Sequence, residues 1–278
     1  MCKEQFQLNE EERKFYGDAM RTLVDPYVTP ISFYDENDES NGEHLGTGYF
    51  FEYNKNKFLI TNYHVAVKCI ENPLAYHFKG DGKYVKMFLP IKFYRYPIDV
   101  ACTSIFDNVW NAYHDGSHCI PPEKFQSKFE AVENEIFFIE GYPGQRAGMW
   151  GDTMFAQLTP LLTNQVRLVD GYDERMHFAL HYDIDNFVCT GEQSFLPSPK
   201  GMSGSLVWNT KIEECKQKGE KWDISKPTVI GIIHQYCGDD KCVIGTKIEH
   251  MRKDELAELA LKDKLEIIKM IEESKKES

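Results

Sequence analysis

No stretch of this sequence approaches the roughly 20 consecutive apolar residues that a membrane-spanning helix requires. The opening residues, Met1-Cys2-Lys3-Glu4-Gln5, lead into a charged segment without the apolar run of a secretory leader. Positive charge is also scarce, with 32 Lys and Arg against 44 Asp and Glu and a formal net charge of -12. A surface of that sign repels phosphate backbones, which argues against nucleic acid as a partner. Eight cysteines are present, but none joins further Cys or His pairs at the short spacing of a zinc site. Internal repeats of solenoid or propeller length are missing too. The expectation is a soluble, cytoplasmic chain with reduced thiols, no membrane or nucleic-acid partner, and no metal or cofactor.

What is present is enough for a substantial core. Hydrophobic residues make up 42% and aromatics 13% of 278 residues, which suits one large domain or two packed halves. Residues 8–23 read as a helix with Asn9 as N-cap and Glu10, Glu11 and Glu12 in its first turn; Pro26 and Pro30 then end it. Residues 35–43 read as a loop. From Thr47 onward, brief apolar runs alternate with turn residues. Examples are Tyr49-Phe50-Phe51, Phe58-Leu59-Ile60, a run over 85–89, Ile91-Lys92-Phe93 and Val100-Ala101-Cys102. A polar stretch over about 107–126 separates these from a second block holding runs at 135–139, 165–169, 177–180, 205–208 and 229–233. Such a rhythm predicts barrels or sandwiches, not a parallel sheet. Residues 211–221 read as a charged excursion loop. Residues 252–273 read as a surface helix docked on the core through Leu256, Leu259, Leu265, Ile268 and Ile271. Cys237 and Cys242 flank Gly238-Asp239-Asp240-Lys241, which has the character of a hairpin tip.

Three places could carry chemistry. Gly201-Met202-Ser203-Gly204-Ser205 sets a serine between glycines before an apolar strand. The backbone can turn sharply there, and the amides of Gly201 and Ser203 can converge on a developing oxyanion. Alone, this pattern is more often a turn. A serine nucleophile needs a base, and His64 closes the apolar run 58–65 at a point where a side chain can emerge. The base needs an orienting carboxylate, and Asp99, between Ile98 and Val100 at a strand start, is placed to be partly buried and to want a partner.

Taken in order, His64, Asp99 and Ser203 resemble the triad of the chymotrypsin/trypsin-like serine peptidases. The local contexts agree. Gly46-Thr47-Gly48-Tyr49 resembles the opening strand of that clan, and Thr61-Asn62-Tyr63-His64-Val65 is similar to the histidine motif of bacterial HtrA (Deg)-type peptidases. Asp99-Val100-Ala101 and Gly141-Tyr142-Pro143-Gly144 resemble further motifs of the same proteins, and 229–233 resembles the strand lining their substrate cleft. The resemblance covers about residues 44–250. It implies an all-β core of two packed six-stranded antiparallel barrels, about 44–120 and 130–250, with a helical extension over 1–43 and a C-terminal helix over 251–278. It further implies that His64, Asp99 and Ser203 are catalytic and that Gly201 and Ser203 form the oxyanion hole. Pro197, Ser198, Ile233 and His234 would contribute to substrate binding. The expected function is an intracellular serine endopeptidase acting through an acyl-enzyme on a polypeptide, with a regulatory protein partner left open. A peptidase-like binding module is the alternative; an esterase on an α/β sheet would run Ser, Asp, His instead.

Departures from the clan sharpen these expectations. Met202 stands where digestive trypsins carry the aspartate that pairs with a newly cut N-terminus, so zymogen activation is not expected. Pro197 stands where trypsin binds basic side chains, so that specificity is not expected either. Val65 and Pro199 occupy positions that are cysteine in secreted relatives. Ser205 replaces the second glycine of Gly-Ser-Gly-Gly. His234 follows the cleft strand and lies either near the specificity pocket or in a solvent-facing loop. After residue 250 only a helical tail follows, and no PDZ domain is expected.

Overall fold

The computed structural model describes residues 8–34, 42–70, 73–79, 84–87, 90–150, 153–185 and 195–277. The opening five residues, most of the loop read over 35–43, Phe88 and Leu89, and Cys189 lie outside them.

Helix α1 (Glu10–Val24) starts on a reciprocal cap: the Glu12 amide donates to the Asn9 side chain, and the Asn9 amide donates to the Glu12 carboxylate. Two antiparallel β units follow. The first has seven strands: β1 (Val28–Tyr34), β2 (Gly42–Tyr53), β3 (Asn56–Thr61), β4 (Leu74–His77), β5 (Tyr84–Lys86), β6 (Lys92–Tyr94) and β7 (Val100–Ile105). Their order is β5-β4-β1-β2-β3-β7-β6. The second is a closed barrel of six strands in the order β11-β12-β15-β14-β13-β8. Its members are β8 (Ile136–Gly141), β11 (Thr159–Val166), β12 (His177–His181), β13 (Leu206–Asn209), β14 (Thr228–Cys237) and β15 (Cys242–Lys247). A two-stranded hairpin, β9 (Ala147–Trp150) with β10 (Thr153–Ala156), hangs between β8 and β11.

The apolar runs become strands because both of their faces are covered. Strand side chains alternate sides. Accordingly Tyr49 and Phe51 enter one core cluster while Phe50, between them, enters another. In β8 the same alternation sends Ile136 and Phe138 one way and Phe137 and Ile139 the other. The first of these clusters collects Met20 and Val24 from α1, Phe58 and Val100 from the first unit, Trp208 and Ile232 from the barrel, and Leu256 and Ala260 from the C-terminal helix. The two units and both terminal helices therefore share one interior.

This is the expected all-β core with a helix at each end; the second unit closes as a six-stranded barrel, and the first is a seven-stranded antiparallel sheet. The boundaries differ in detail. Residues 28–34, read as part of a helical extension, form β1, because Ile31, Ser32 and Phe33 find partners on β4 as well as β2. The first unit thus has seven strands instead of six. The polar stretch after β7 holds helix α3 (Asp107–Tyr113), and the excursion at 211–221 holds α4 (Ile212–Lys218). After a single turn, α5 (Ile248–Met251), helix α6 runs over Lys253–Glu277. Its docked residues are Leu256, Ala257, Ala260 and Lys264, whereas Leu259, Leu265 and Ile271 are exposed. Of the five apolar residues expected to dock it, Leu256 alone is buried. Among the described residues, no helix is long and apolar enough to cross a membrane.

Candidate active site

His64 does not close the strand itself. Strand β3 ends at Thr61, and His64 lies in the single helical turn α2 (Tyr63–Ala66) that follows. This turn is held from below by Asp99. The His64 backbone N–H donates to Asp99 Oδ1 at 3.0 Å, and His64 Nδ1 lies 2.6 Å from Oδ2. One carboxylate thus fixes both the main chain and the ring of the same residue. An ionised carboxylate only accepts, so the pairing places the proton on Nδ1 and leaves Nε2 with a lone pair. The histidine side chain is 47% exposed while the aspartate is 9% exposed. Asp99 itself has φ of +53°, a left-handed conformation that aspartate tolerates better than most residues. A turn builds it, with the Ile98 and Asp99 amides both donating to Arg95 O, and Asn62 Nδ2 donates to Asp99 O at 2.7 Å.

Two tight turns meet at Met202, and Ser203 lies in the second. In the first, the Met202 amide donates to Pro199 O at 2.8 Å and Gly201 has φ of +96°. In the second, the Ser205 amide donates to Met202 O at 3.0 Å and Gly204 has φ of +94°. Neither glycine can be replaced without displacing backbone. A Cβ on Gly201 would fall 2.8 Å from Gly144 N, and one on Gly204 would fall 2.0 Å from Thr47 O. The loop is pinned on both flanks: Thr47 N–H donates to Ser203 O at 2.8 Å, and Gly204 N–H donates to Ile233 O at 3.0 Å. Lys200 O accepts from Gly144 N–H at 2.7 Å. Because a trans peptide sets its C=O and N–H on opposite sides, this bond turns the Gly201 N–H the other way. Among the described residues, neither the Gly201 nor the Ser203 amide has an acceptor.

Gly46 brings the two halves together. A Cβ there would meet Val65, next to His64, at 2.7 Å and Ser203 O at 3.1 Å. The absence of a side chain on β2 is what lets α2 and the serine loop close on the same strand.

Three supporting groups have no site role from the sequence: Thr47 and Gly144 stand only inside resembling motifs, and His44 in none. His44 Nε2 lies 2.6 Å from Tyr142 O and 3.2 Å from Gly201 O, so it is the protonated nitrogen and braces the glycine turn. Burial lowers its pKa and keeps the ring neutral. Thr47 Oγ1 donates to Gly201 O at 3.1 Å and accepts from the Tyr142 amide at 3.0 Å. Gly144 supplies the amide that orients Lys200. These groups lie 57 residues or more from the Gly201 turn along the chain, and only the fold joins them.

The other expected positions fall as follows. Pro197 O accepts from Tyr182 Oη at 2.8 Å, and the Ser198 amide donates to Gln145 Oε1 at 2.8 Å. Ser198, Lys200, Gly201, His44 and Gln145 line a cleft of about 480 Å³. Ile233 is buried, its main chain bonded to both Gly204 and Ser205. His234 is not in a solvent-facing loop. It occupies an irregularity in the β14–β15 pairing and is 6% exposed. Burial is the main cause that lowers its pKa to about 4; Asp99 opposes that shift, and the neighbouring His177 and His64 add to it. Its ring centroid lies 5.4 Å from that of His177, whose Nε2 donates to Pro97 O at 2.9 Å. His234 thus stands close to the His64–Asp99 pair.

No family model and no curated protein matches the chain. Among solved structures it is similar to a thermostable serine protease, AL20, from an extremophilic microorganism, at 8% identity over 86% of this chain and 96% of that one, with a TM-score of 0.49. It is similar to the HtrA-type protease AlgW with tripeptide at 13% identity over 86% of this chain and 61% of that one, with a TM-score of 0.48. It is also similar to tobacco etch virus protease complexed with product, at 11% identity over 86% of this chain and 80% of that one, with a TM-score of 0.46. These are likenesses of fold.

Proposed function

We propose that this chain is a serine endopeptidase in which Ser203 is the nucleophile, His64 the general base and Asp99 the group that orients it. The observation that carries the reading is the double hold of Asp99 on His64, through the main chain at 3.0 Å and the ring at 2.6 Å. It fixes the tautomer a base requires and stabilises the imidazolium that forms when the proton arrives. In the reaction, Ser203 Oγ adds to the scissile carbonyl carbon and its proton passes to His64 Nε2. The oxyanion is held by the Gly201 and Ser203 amides, which have no other acceptor among the described residues. Collapse expels the amine, which takes the proton from His64 and leaves an acyl-enzyme. Water, deprotonated by the same ring, then releases the acid.

Met202 supports activity without N-terminal trimming. It is 2% exposed among Tyr182, Leu196 and Ile233. Apolar packing thus seats the turn before Ser203, where an ion pair to a new N-terminus does so in digestive trypsins. The six described cysteines are free thiols, which fits a reducing, cytoplasmic setting and an intracellular polypeptide substrate.

A fluorophosphonate probe tests the assignment on the full chain. Wild type labels and Ser203→Ala does not; equal labelling of the two removes the nucleophile and leaves a binding module. With a peptide substrate, Ser203→Ala lowers turnover by about a millionfold. Asp99→Asn lowers it by about ten thousandfold, because an amide can present its NH₂ to the ring and select the wrong tautomer.

A further inference from the structure

The hairpin tip read in the sequence holds two cysteines that the reaction does not use. Cys237 ends β14, Cys242 begins β15, and they face each other directly across the antiparallel pair. Both are free thiols, and they pack in one small cluster with Ala179 and Ile244. Directly opposed residues in such a pair hold their Cβ atoms about 4.5–5.5 Å apart. A disulfide needs about 3.5–4.5 Å, so a small local movement suffices to form one. The other four described cysteines sit elsewhere, on a turn after α2, on β7, ahead of Ile120 and on α4.

The pair is connected to the candidate active site. Cys237 and Tyr172 pack against the same small apolar cluster, which holds Cys242, Ala179 and Ile244. The Tyr172 ring stands edge-on to His177 at 5.5 Å and lies 6.3 Å from His234. His177 is bonded to Pro97 O, two residues before Asp99. His234 lies on the same strand as Cys237, three residues earlier, and its buried Nε2 has no partner among the described residues.

We propose that Cys237 and Cys242 form a reversible disulfide by exchange with a small-molecule disulfide, and that the change is transmitted through Tyr172 to His177 and His234 beside the His64–Asp99 pair. The reaction starts at Cys237, the more accessible thiol, because burial pushes the Cys242 thiol up to about 12. The Cys237 thiolate attacks one sulfur of the small disulfide, forms a mixed disulfide and expels one thiolate. Cys242 gives up its proton and attacks Cys237 Sγ, expelling the second thiolate. Two protein thiols are oxidised by two electrons, one small disulfide is reduced to two thiols, and no other reactant is needed. The Cys237 sulfur then turns to Cys242, and the packing against the Tyr172 ring changes with it.

The test uses the full chain equilibrated with oxidised and reduced glutathione, followed by non-reducing peptide mapping. The expected product is one peptide species linked through Cys237 and Cys242, lighter by two hydrogen atoms and restored by dithiothreitol. Retention of both thiols, glutathione left on Cys237, or a bond to any other cysteine overturns the proposal. Histidine ring NMR provides the second readout. The His177 and His234 signals shift on oxidation of wild type and stay fixed in Cys237→Ser, whose fold is checked by circular dichroism. A disulfide that leaves both signals in place overturns the coupling. Neither readout needs Ser203 to be a nucleophile, so a failed peptidase assignment and a failed thiol assignment are separable.

Discussion

Glu140 shows how much one residue can work against its surroundings. It lies on β8 at 0% exposure, and among the described residues neither of its carboxylate oxygens finds a donor. Desolvation, with Asp25 nearby, pushes its pKa well above the ordinary 4.5, while Arg21 and Lys79 pull weakly the other way. A carboxyl raised in this way takes up a proton on folding wherever the unfolded chain is ionised. Its contribution to stability is complete below about pH 4.5 and is lost as pH rises from there towards the folded-state value. Glu140→Met, similar in volume and without the buried polar atoms, should raise stability at neutral pH by about 1–3 kcal/mol. It should also flatten the decline between about pH 5 and pH 8. Urea melts at the two pH values check this, and a midpoint no higher than wild type at the upper pH would count against it.

At the scale of elements, helix α6 is the instructive case. A helix docks through whatever face lets it come close, and here two alanines allow the approach to β7. The one charged group in that face is Lys264, 2% exposed. Its Nζ donates to Ile105 O and Asp107 Oδ1, both at 3.0 Å, and to Asn56 Oδ1 at 3.4 Å. Lys264→Met keeps the stem but leaves the Ile105 carbonyl without this donor, at a cost of about 1–3 kcal/mol. Chemical denaturation together with hydrogen exchange along α6 reads the effect; unchanged protection would mean that the alanines and Leu256 seat the helix unaided. Helical periodicity pointed to residues 252–273 correctly as a helix. It could not choose the docked face, because Leu259, Leu265 and Ile271 satisfy the same spacing and lie exposed.

At the scale of the whole molecule, the two β units meet through a few polar bonds set in a shared apolar core. Thr47 belongs to the first unit, yet its amide holds Ser203 O at 2.8 Å and its hydroxyl joins Gly201 O to the Tyr142 amide, all three from the region of the second. Thr246 Oγ1 donates to Ile98 O at 2.8 Å in the opposite direction, next to Asp99. Thr47→Val preserves shape and removes the hydroxyl. It should cost about 1–3 kcal/mol, since the part-buried Tyr142 amide loses its acceptor. It should also slow fluorophosphonate labelling, while Thr47→Ser restores both. Full labelling speed in the valine variant would show that the serine loop keeps its shape without the bridge.

Several features were already decided by the sequence alone. Short apolar runs with turn residues between them specify brief strands, because β-branched and aromatic side chains favour extended backbone and the turn residues end it. The cap at Asn9, the turn at 238–241 and the glycines around Ser203 are likewise local, since each is fixed by what its own backbone must do. The proposed triad of His64, Asp99 and Ser203 rests in the sequence on motif order, since each alone read as an ordinary strand end or turn. Tertiary structure decided the rest: the seventh strand β1, the bracing of Gly201 by His44, the burial of His234 near Asp99, and the face that α6 turns inward. Each depends on contacts between residues far apart in the chain. Strand pairing, a single unpartnered nitrogen and the closeness of two backbones are properties of packed neighbours, and no local pattern of side chains encodes them.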